Sequence, residues 1–307
     1  MDVKKVNSYF VGGVIICFFG AVCFSTKAIF VKLAYRDTDI DPVTLLALRM
    51  LFSLPFFVIS AAVSSNKTTN VRFDRKQWIA VAAIGCLGYY VSSLLDFLGL
   101  QYVTAGIERL ILFIYPTLVL LISSTIFKTR ITSWQWLALL VTYAGLVAAC
   151  VPEIQGTGTG ENFWKGSLLI LVCALTYALY IVGSGRLIPA IGASKFNSYA
   201  MSFAAAAVLI HFFLTSDRSL FDQSATVYLY SFAMAILSTV IPSYLIAEGI
   251  KRVGSGNAAI IASVGPVSTI VQAAIFLYEP IKTLQLIGTG LILAGVLMVG
   301  QKKQADL

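Results

Sequence analysis

Histidine occurs once in this chain, cysteine five times, and Asp and Glu together fourteen times in 307 residues. Each shortage removes a class of function. The lone His211 rules out an HExxH zinc helix, which needs two histidines one turn apart. Cys17, Cys23, Cys86, Cys150 and Cys173 are odd in number, fall within or at the end of apolar stretches and show no paired ligand spacing. Neither a disulfide framework nor a metal site is expected from them. There is no GxSxG, and no nucleophile stands with a base. "GTGTG" at 156–160 lacks the strand and helix that flank a phosphate loop and reads as a linker. The sequence therefore points away from an enzyme and calls for no cofactor.

Polar surface is equally scarce. Charged residues are 12% of the chain against 58% hydrophobic, and the mean hydropathy of +0.87 lies outside the range of a soluble domain of this length. Ten apolar stretches remain, near 10–34, 42–64, 77–100, 105–127, 133–151, 164–185, 194–215, 225–250, 256–277 and 283–300. A helical crossing of the roughly 30 Å apolar core needs about 20 such residues. A barrel strand would alternate over about 10, which these unbroken runs do not. The expected fold is all-α and integral to the membrane, with ten transmembrane helices and no soluble domain. Lys4 and Lys5 before the first run imitate a signal peptide, but the run is too long, so it is expected to stay as the first helix.

The net charge of +8 suggests nucleic acid until its distribution is examined. With the N-terminus in the cytoplasm, fourteen Lys and Arg fall on that side. Only Arg36, Lys165, Arg218 and Lys282 fall on the other. That positive-inside bias places both termini in the cytoplasm and leaves no nucleic-acid role. Trp78, Trp134, Trp136 and Trp164 all fall at the start of an expected span, where indole prefers the interface.

A shift of 150 residues aligns Gly99, Val103, Gly106, Ile111, Pro116, Ile131, Gln135, Ala144 and Gly145 with Gly249, Val253, Gly256, Ile261, Pro266, Ile281, Gln285, Ala294 and Gly295. The span boundaries fall in step, giving two five-helix repeats, 1–152 and 153–307. An odd number of helices makes the second repeat enter from the opposite side, the inverted arrangement of alternating-access carriers.

Five ionisable groups lie inside expected spans, roughly 5–10 Å from the outer helix ends: Lys27, Arg49, Asp96, Glu108 and Arg109. Each would cost about 2.5–3.5 kcal/mol at a helix centre facing lipid, so a shared polar cavity is the expectation. Gly85, Tyr89, Ser92, Ser93 and Asp96 share a face of the third span, and Tyr115 nearly shares one with Glu108. A Thr104 cap opens the fourth. Glu108 and Arg109 point about 100° apart, which predicts partners on other helices: Asp96 for Arg109, and Lys27 or Arg49 for Glu108. Tyr177, Tyr180 and Ser184 form a stripe on the sixth span, and Tyr244 and Glu248 one on the eighth. Three positive against two negative charges favour an anionic or zwitterionic solute. Lys27, Arg49 and Arg109 would orient it, and Asp96, Glu108 and Glu248 are the candidates for proton coupling. Pro55, Pro116, Pro242 and Pro266 interrupt spans, Pro55 as a simple kink.

"FFGAVCFSTKAIFVKLAY", the arginine of "ALRMLF", the proline of "LFIYPTLVLL", its repeat "ASVGPVSTIVQAAIFLYEP" and the "YAGL" and "LAGV" endings follow one another in the order of a known family. The chain resembles the drug/metabolite transporter superfamily, EamA-type branch, over essentially its whole length. It departs at Phe24 and Ser25, where the family often has Trp-Gly, and in "FKTR", which lacks the acidic residue that Glu279 supplies in the second copy. The resemblance implies a multi-pass inner-membrane protein, monomer or homodimer. It implies secondary export of a small metabolite such as an amino acid, by alternating access to a central cavity. Two rivals remain: a channel or facilitator using the same cavity, and, more weakly, a membrane-embedded enzyme acting on a lipid.

Overall fold

A computed structural model describes residues 3–65, 72–103, 105–128, 130–154, 161–276, 281 and 283–305. Thr104, residues 156–160, Glu279 and the side chain of Cys150 lie outside the described set, so the expectations placed on them do too. Among the described residues there is no strand. Backbone groups in hydrocarbon must be satisfied within their own segment, and apolar runs of this length answer that demand as helices. The elements are α1 (Val3–Asp37), α2 (Pro42–Ser65), α3 (Arg75–Gly85), α4 (Ser92–Gly99), α5 (Ala105–Leu112), α6 (Tyr115–Phe127) and α7 (Ser133–Ile154). The second half gives α8 (Glu161–Ile191), α9 (Ala193–Thr215), α10 (Ala225–Ala235), α11 (Ile241–Val253), α12 (Ser255–Ile261), α13 (Val264–Phe276) and α14 (Thr283–Ala305). Seven of the continuous helical stretches are long and apolar enough to cross a membrane: Ser8–Asp37, Pro42–Ser65, Arg75–Gly99, Asn162–Ile191, Ala193–Thr215, Ala225–Val253 and Ser255–Phe276. The other three expected spans hold shorter apolar helices, Tyr115–Ile126, Ser133–Ala148 and Leu286–Gly295.

Two stretches are interrupted by a wider π-turn, Cys86–Val91 between α3 and α4 and Ile236–Val240 between α10 and α11. Their first residues are 150 apart. In each the backbone steps to bonds five residues long, from Ser92 N–H to Leu87 O and from Ile241 N–H to Ile236 O. Such turns relax the helix and commonly sit at functional sites. Two further breaks occur just ahead of Pro116 and Pro266, separating α5 from α6 and α12 from α13. Proline lacks the N–H that would continue the ladder. Pro55, by contrast, is carried inside an unbroken α2.

Packing exchanges the halves. α1 lies on α11 and α13, and its counterpart α8 lies on α4 and α6; α2 pairs with α9, and α7 with α14. Repeat-equivalent glycines explain how the helices come so close. A Cβ on Gly99 would collide with Ile170 of α8, and one on Gly249 with Cys17 of α1; at Gly145 and Gly295 it would meet backbone of the partner helix. Small residues permit such approach where lipid offers no hydrophobic drive between helices. One hydrophobic cluster runs through both halves, from Leu45 and Phe97 to Phe196 and Ile260.

Candidate functional site

The five ionisable groups come together inside the bundle. Asp96, Glu108 and Arg49 are 0% exposed, Lys27 3% and Arg109 6%, so none of them reaches lipid. Lys27 Nζ stands 2.7 Å from Asp96 Oδ2 and over the Phe24 ring at 5.1 Å. α1 is also strapped to the end of α4 by Lys32, which donates to the carbonyls of Leu100 (2.8 Å) and Val103 (2.9 Å), and by Tyr35, which donates to that of Phe97 (3.1 Å). These bonds occupy carbonyls that the ends of helices leave orphaned, and they set Lys27 against Asp96.

The expected partners of Glu108 and Arg109 are corrected. Arg109 Nε curls back to Glu108 Oε2 at 3.1 Å, because its long stem reaches across the angle that separates the two Cβ atoms. Glu108 in turn faces Asp96, with the two carboxyl groups within hydrogen-bonding reach of each other. None of the four carboxylate oxygens receives an aligned hydrogen bond, and neither Arg109 Nε nor Nη2 makes one. The close charges are thus ion pairs by distance without hydrogen-bond alignment.

Arg49 is anchored by the other half. Its Nε donates to Thr239 Oγ1 at 2.6 Å, and that hydroxyl donates to the Met234 carbonyl at 3.0 Å. Thr239 lies in the second π-turn. Its equivalent in the first, Tyr89, lies in electrostatic range of the same guanidinium, as does Asp96. Phe97 packs 5.6 Å beneath the guanidinium, while Nη1 and Nη2 find no acceptor.

From Tyr89 a row of rings leads inward: Tyr89 to Tyr180 at 5.0 Å, Tyr180 to Tyr177 at 5.8 Å, Tyr177 to Tyr115 at 5.2 Å. The row ends at a small cavity of about 30 Å³ bounded by Phe24 and Ser25 of α1, Arg109, Phe113 and Tyr115, Tyr177 of α8, Ile246 of α11, and Ala262, Gly265 and Pro266. Both proline-linked breaks open onto it. Among the described residues, Arg109 is its one charged lining residue. Ser25 Oγ donates across it to the Gly265 carbonyl at 3.0 Å, and Tyr115 Oη to that of Ala259 at 3.2 Å.

Ser93 is buried on α4 beside Asp96. Tyr244 and Glu248 stand apart from this constellation. Tyr244 is hydrogen-bonded to Ser198 (2.8 Å) and packs on Phe57, while Glu248 pairs with Arg252 (2.8 Å) and Lys251 (3.5 Å) of its own helix. Thr239 escaped the sequence reading because nothing local marks a threonine that meets an arginine 190 residues away. Its repeat relation to Tyr89 was the available signal. A second, open cavity of about 400 Å³ lies between Arg130, Gln135, Arg186, Gly254 and Asn257, where Gln135 Nε2 donates to Asn257 Oδ1 at 3.2 Å. Among the described residues no His, Cys, Asp and Glu cluster is arranged to hold a metal.

A polytopic helical protein that buries opposed charges beside an internal cavity, where only a solute or water can meet them, has the build of a membrane transporter. The chain belongs to the EamA-like transporter family, whose model matches residues 11–150 and again 164–301. It is 32% identical over 285 residues to a Bacillus subtilis protein described as the uncharacterized transporter YcbK, covering 91% of this chain and 89% of that one. It is 22% identical to an uncharacterized transporter of Archaeoglobus fulgidus, covering 89% and 94%. A solved crystal structure shares the fold with a TM-score of 0.77 at 18% identity, over 96% of this chain and 98% of that chain. The protein is accordingly a membrane transporter and not an enzyme, a multi-pass protein of the bacterial inner membrane that acts on a small-molecule substrate.

Proposed function

We propose that this protein is a proton-coupled secondary carrier for a small anionic or zwitterionic metabolite, such as an amino acid or related compound, working by alternating access. In this reading ten helical stretches cross the bilayer as two inverted repeats, 1–152 and 153–307, with both termini in the cytoplasm. The exchange of contacts between α1 and α8, and the π-turns spaced 150 residues apart, support the inversion. The observation that carries the reading is Arg109, buried yet lining the cavity, its Nε ion-paired to Glu108 and neither Nε nor Nη2 in an aligned hydrogen bond. A carboxylate would satisfy that fork through charge-assisted hydrogen bonds. Arg49 adds a second cation, Lys27 holds Asp96 in place, and Tyr115, Tyr177, Tyr180 and Tyr89 supply walls and hydroxyls. Ser93 adds a hydroxyl beside Asp96, while Tyr244 and Glu248 fall outside the binding position. The working unit is a monomer or a homodimer.

The test is solute counterflow in proteoliposomes, after a thermal-shift screen of amino acids, organic acids and nucleotides has selected a binder. Wild-type protein should accumulate labelled solute against unlabelled solute, and the double variant R49Q/R109Q should not. Unchanged counterflow in the double variant would refute the site. Flux without counterflow would indicate a channel instead.

A further inference from the structure

We propose that Asp96 and Glu108 form a proton-binding site whose occupancy releases Arg109 to a carboxylate in the cavity, so that one proton and one anion are carried together. The proposal rests on the anion-cavity reading above and adds the sign of the coupling.

Four carboxylate oxygens are buried in one place and none has an aligned donor. The two carboxyl groups nevertheless lie within hydrogen-bonding reach, a contact that two ionised acids resist and that a single shared proton turns into a donor and an acceptor. The surroundings decide which acid keeps its charge. Asp96 has the Lys27 ammonium at 2.7 Å and Arg49 in range, whereas Glu108 has the Arg109 guanidinium at 3.1 Å. The proton therefore resides on the Glu108 side, with Glu108 donating to Asp96.

Around the pair α1 presents Lys27 and Tyr35, α2 Arg49, the first π-turn Tyr89, α5 Arg109, α6 Tyr115, and α8 Cys173 and Tyr177. α13 carries no titratable residue, and Tyr143 of α7 is engaged with Thr117. Among the described residues, Arg109 is the one charged member that belongs both to this cluster and to the cavity wall.

The consequence follows from charge. With both acids ionised, Glu108 holds Arg109 and competes with any incoming anion. A proton on Glu108 removes that competitor and leaves the guanidinium facing the cavity. Proton and anion then raise each other's affinity by the same factor, as linkage requires. Cooperative binding at two sites that share Arg109 loads both ligands into the same transport step.

Benzoate is a suitable probe, since it joins a carboxylate to an aromatic ring and stays ionised from mildly acidic to mildly alkaline pH. Calorimetry of the detergent-solubilised full chain, in buffers of different ionisation enthalpy, counts the protons taken up on binding. Wild-type protein should take up close to one proton per benzoate on the alkaline side, with affinity falling by up to about tenfold per pH unit as pH rises. E108Q should bind benzoate with no proton uptake and a flat pH profile, and R109Q should lose binding. Wild-type binding without proton uptake at any pH would overturn the proposal with no variant needed. An E108Q protein with wild-type linkage would overturn it too. No binding of benzoate by wild-type protein would instead take down the anion cavity beneath it.

Discussion

At the scale of single residues the molecule depends on who neutralises whom. Removing one member of a buried ion pair strands the other and costs about 3–5 kcal/mol, whereas replacing both is often close to neutral. K27M should therefore lower stability in detergent, measured by chemical unfolding, by that amount, and K27M/D96N should recover most of it without restoring transport. A double variant no more stable than K27M would mean that Lys27 does not serve Asp96. Arg49 offers a parallel case, since Thr239 is its hydrogen-bond acceptor. T239V keeps the shape and deletes the oxygen, which should cost about 1–3 kcal/mol, while T239S should stay near wild type. Equal effects of the two would remove the hydroxyl from the account. The five charges were legible as a layer, because ionised groups in apolar runs stand out by their solvation cost. Their pairing was not, since Arg109 and Glu108 are chain neighbours whose stems, and not their helical positions, decide that they meet.

At the scale of elements, where the helices lie follows from the apolar runs, and what bends them follows only in part. Pro116 and Pro266 announce their breaks by a missing N–H. Cys86–Val91 forms a π-turn from a sequence with no breaker in it, so only the packed structure reveals it. Close helix approach was legible as repeated glycine without its purpose. That purpose is testable on one helix pair. G145A drives a Cβ into the backbone of Gly288 and Ile292, which has no rotamer to yield, whereas Gly290 faces open space. G145A should destabilise by about 1–3 kcal/mol, as overpacking does, and G290A should not. Matching melting temperatures for the two would show that α7 and α14 can separate at little cost.

At the scale of the whole molecule, the repeats are units of sequence rather than of packing. Each first helix lies on the third and fourth helical stretches of the other half, and the core is common property. Residues 1–152 and 153–307 produced separately should each fail to accumulate as a monodisperse species, while co-production should let a tag on one half purify both. A stable, monodisperse single half would contradict this dependence. The span pattern could announce two repeats, but a shift of 150 residues says which positions correspond and nothing about which surfaces touch.

The seating of α1 against α11 also sets a timetable for biogenesis. The ribosome finishes α1 at Asp37 and does not begin α11 until Ile241. At about 5–20 residues per second that gap lasts on the order of 10–40 seconds. Once α4 has been made Lys27 can meet Asp96, but the flank of α1 destined for α11 has only acyl chains or an insertase for company. The newborn protein must shelter its first helix until its last quarter emerges.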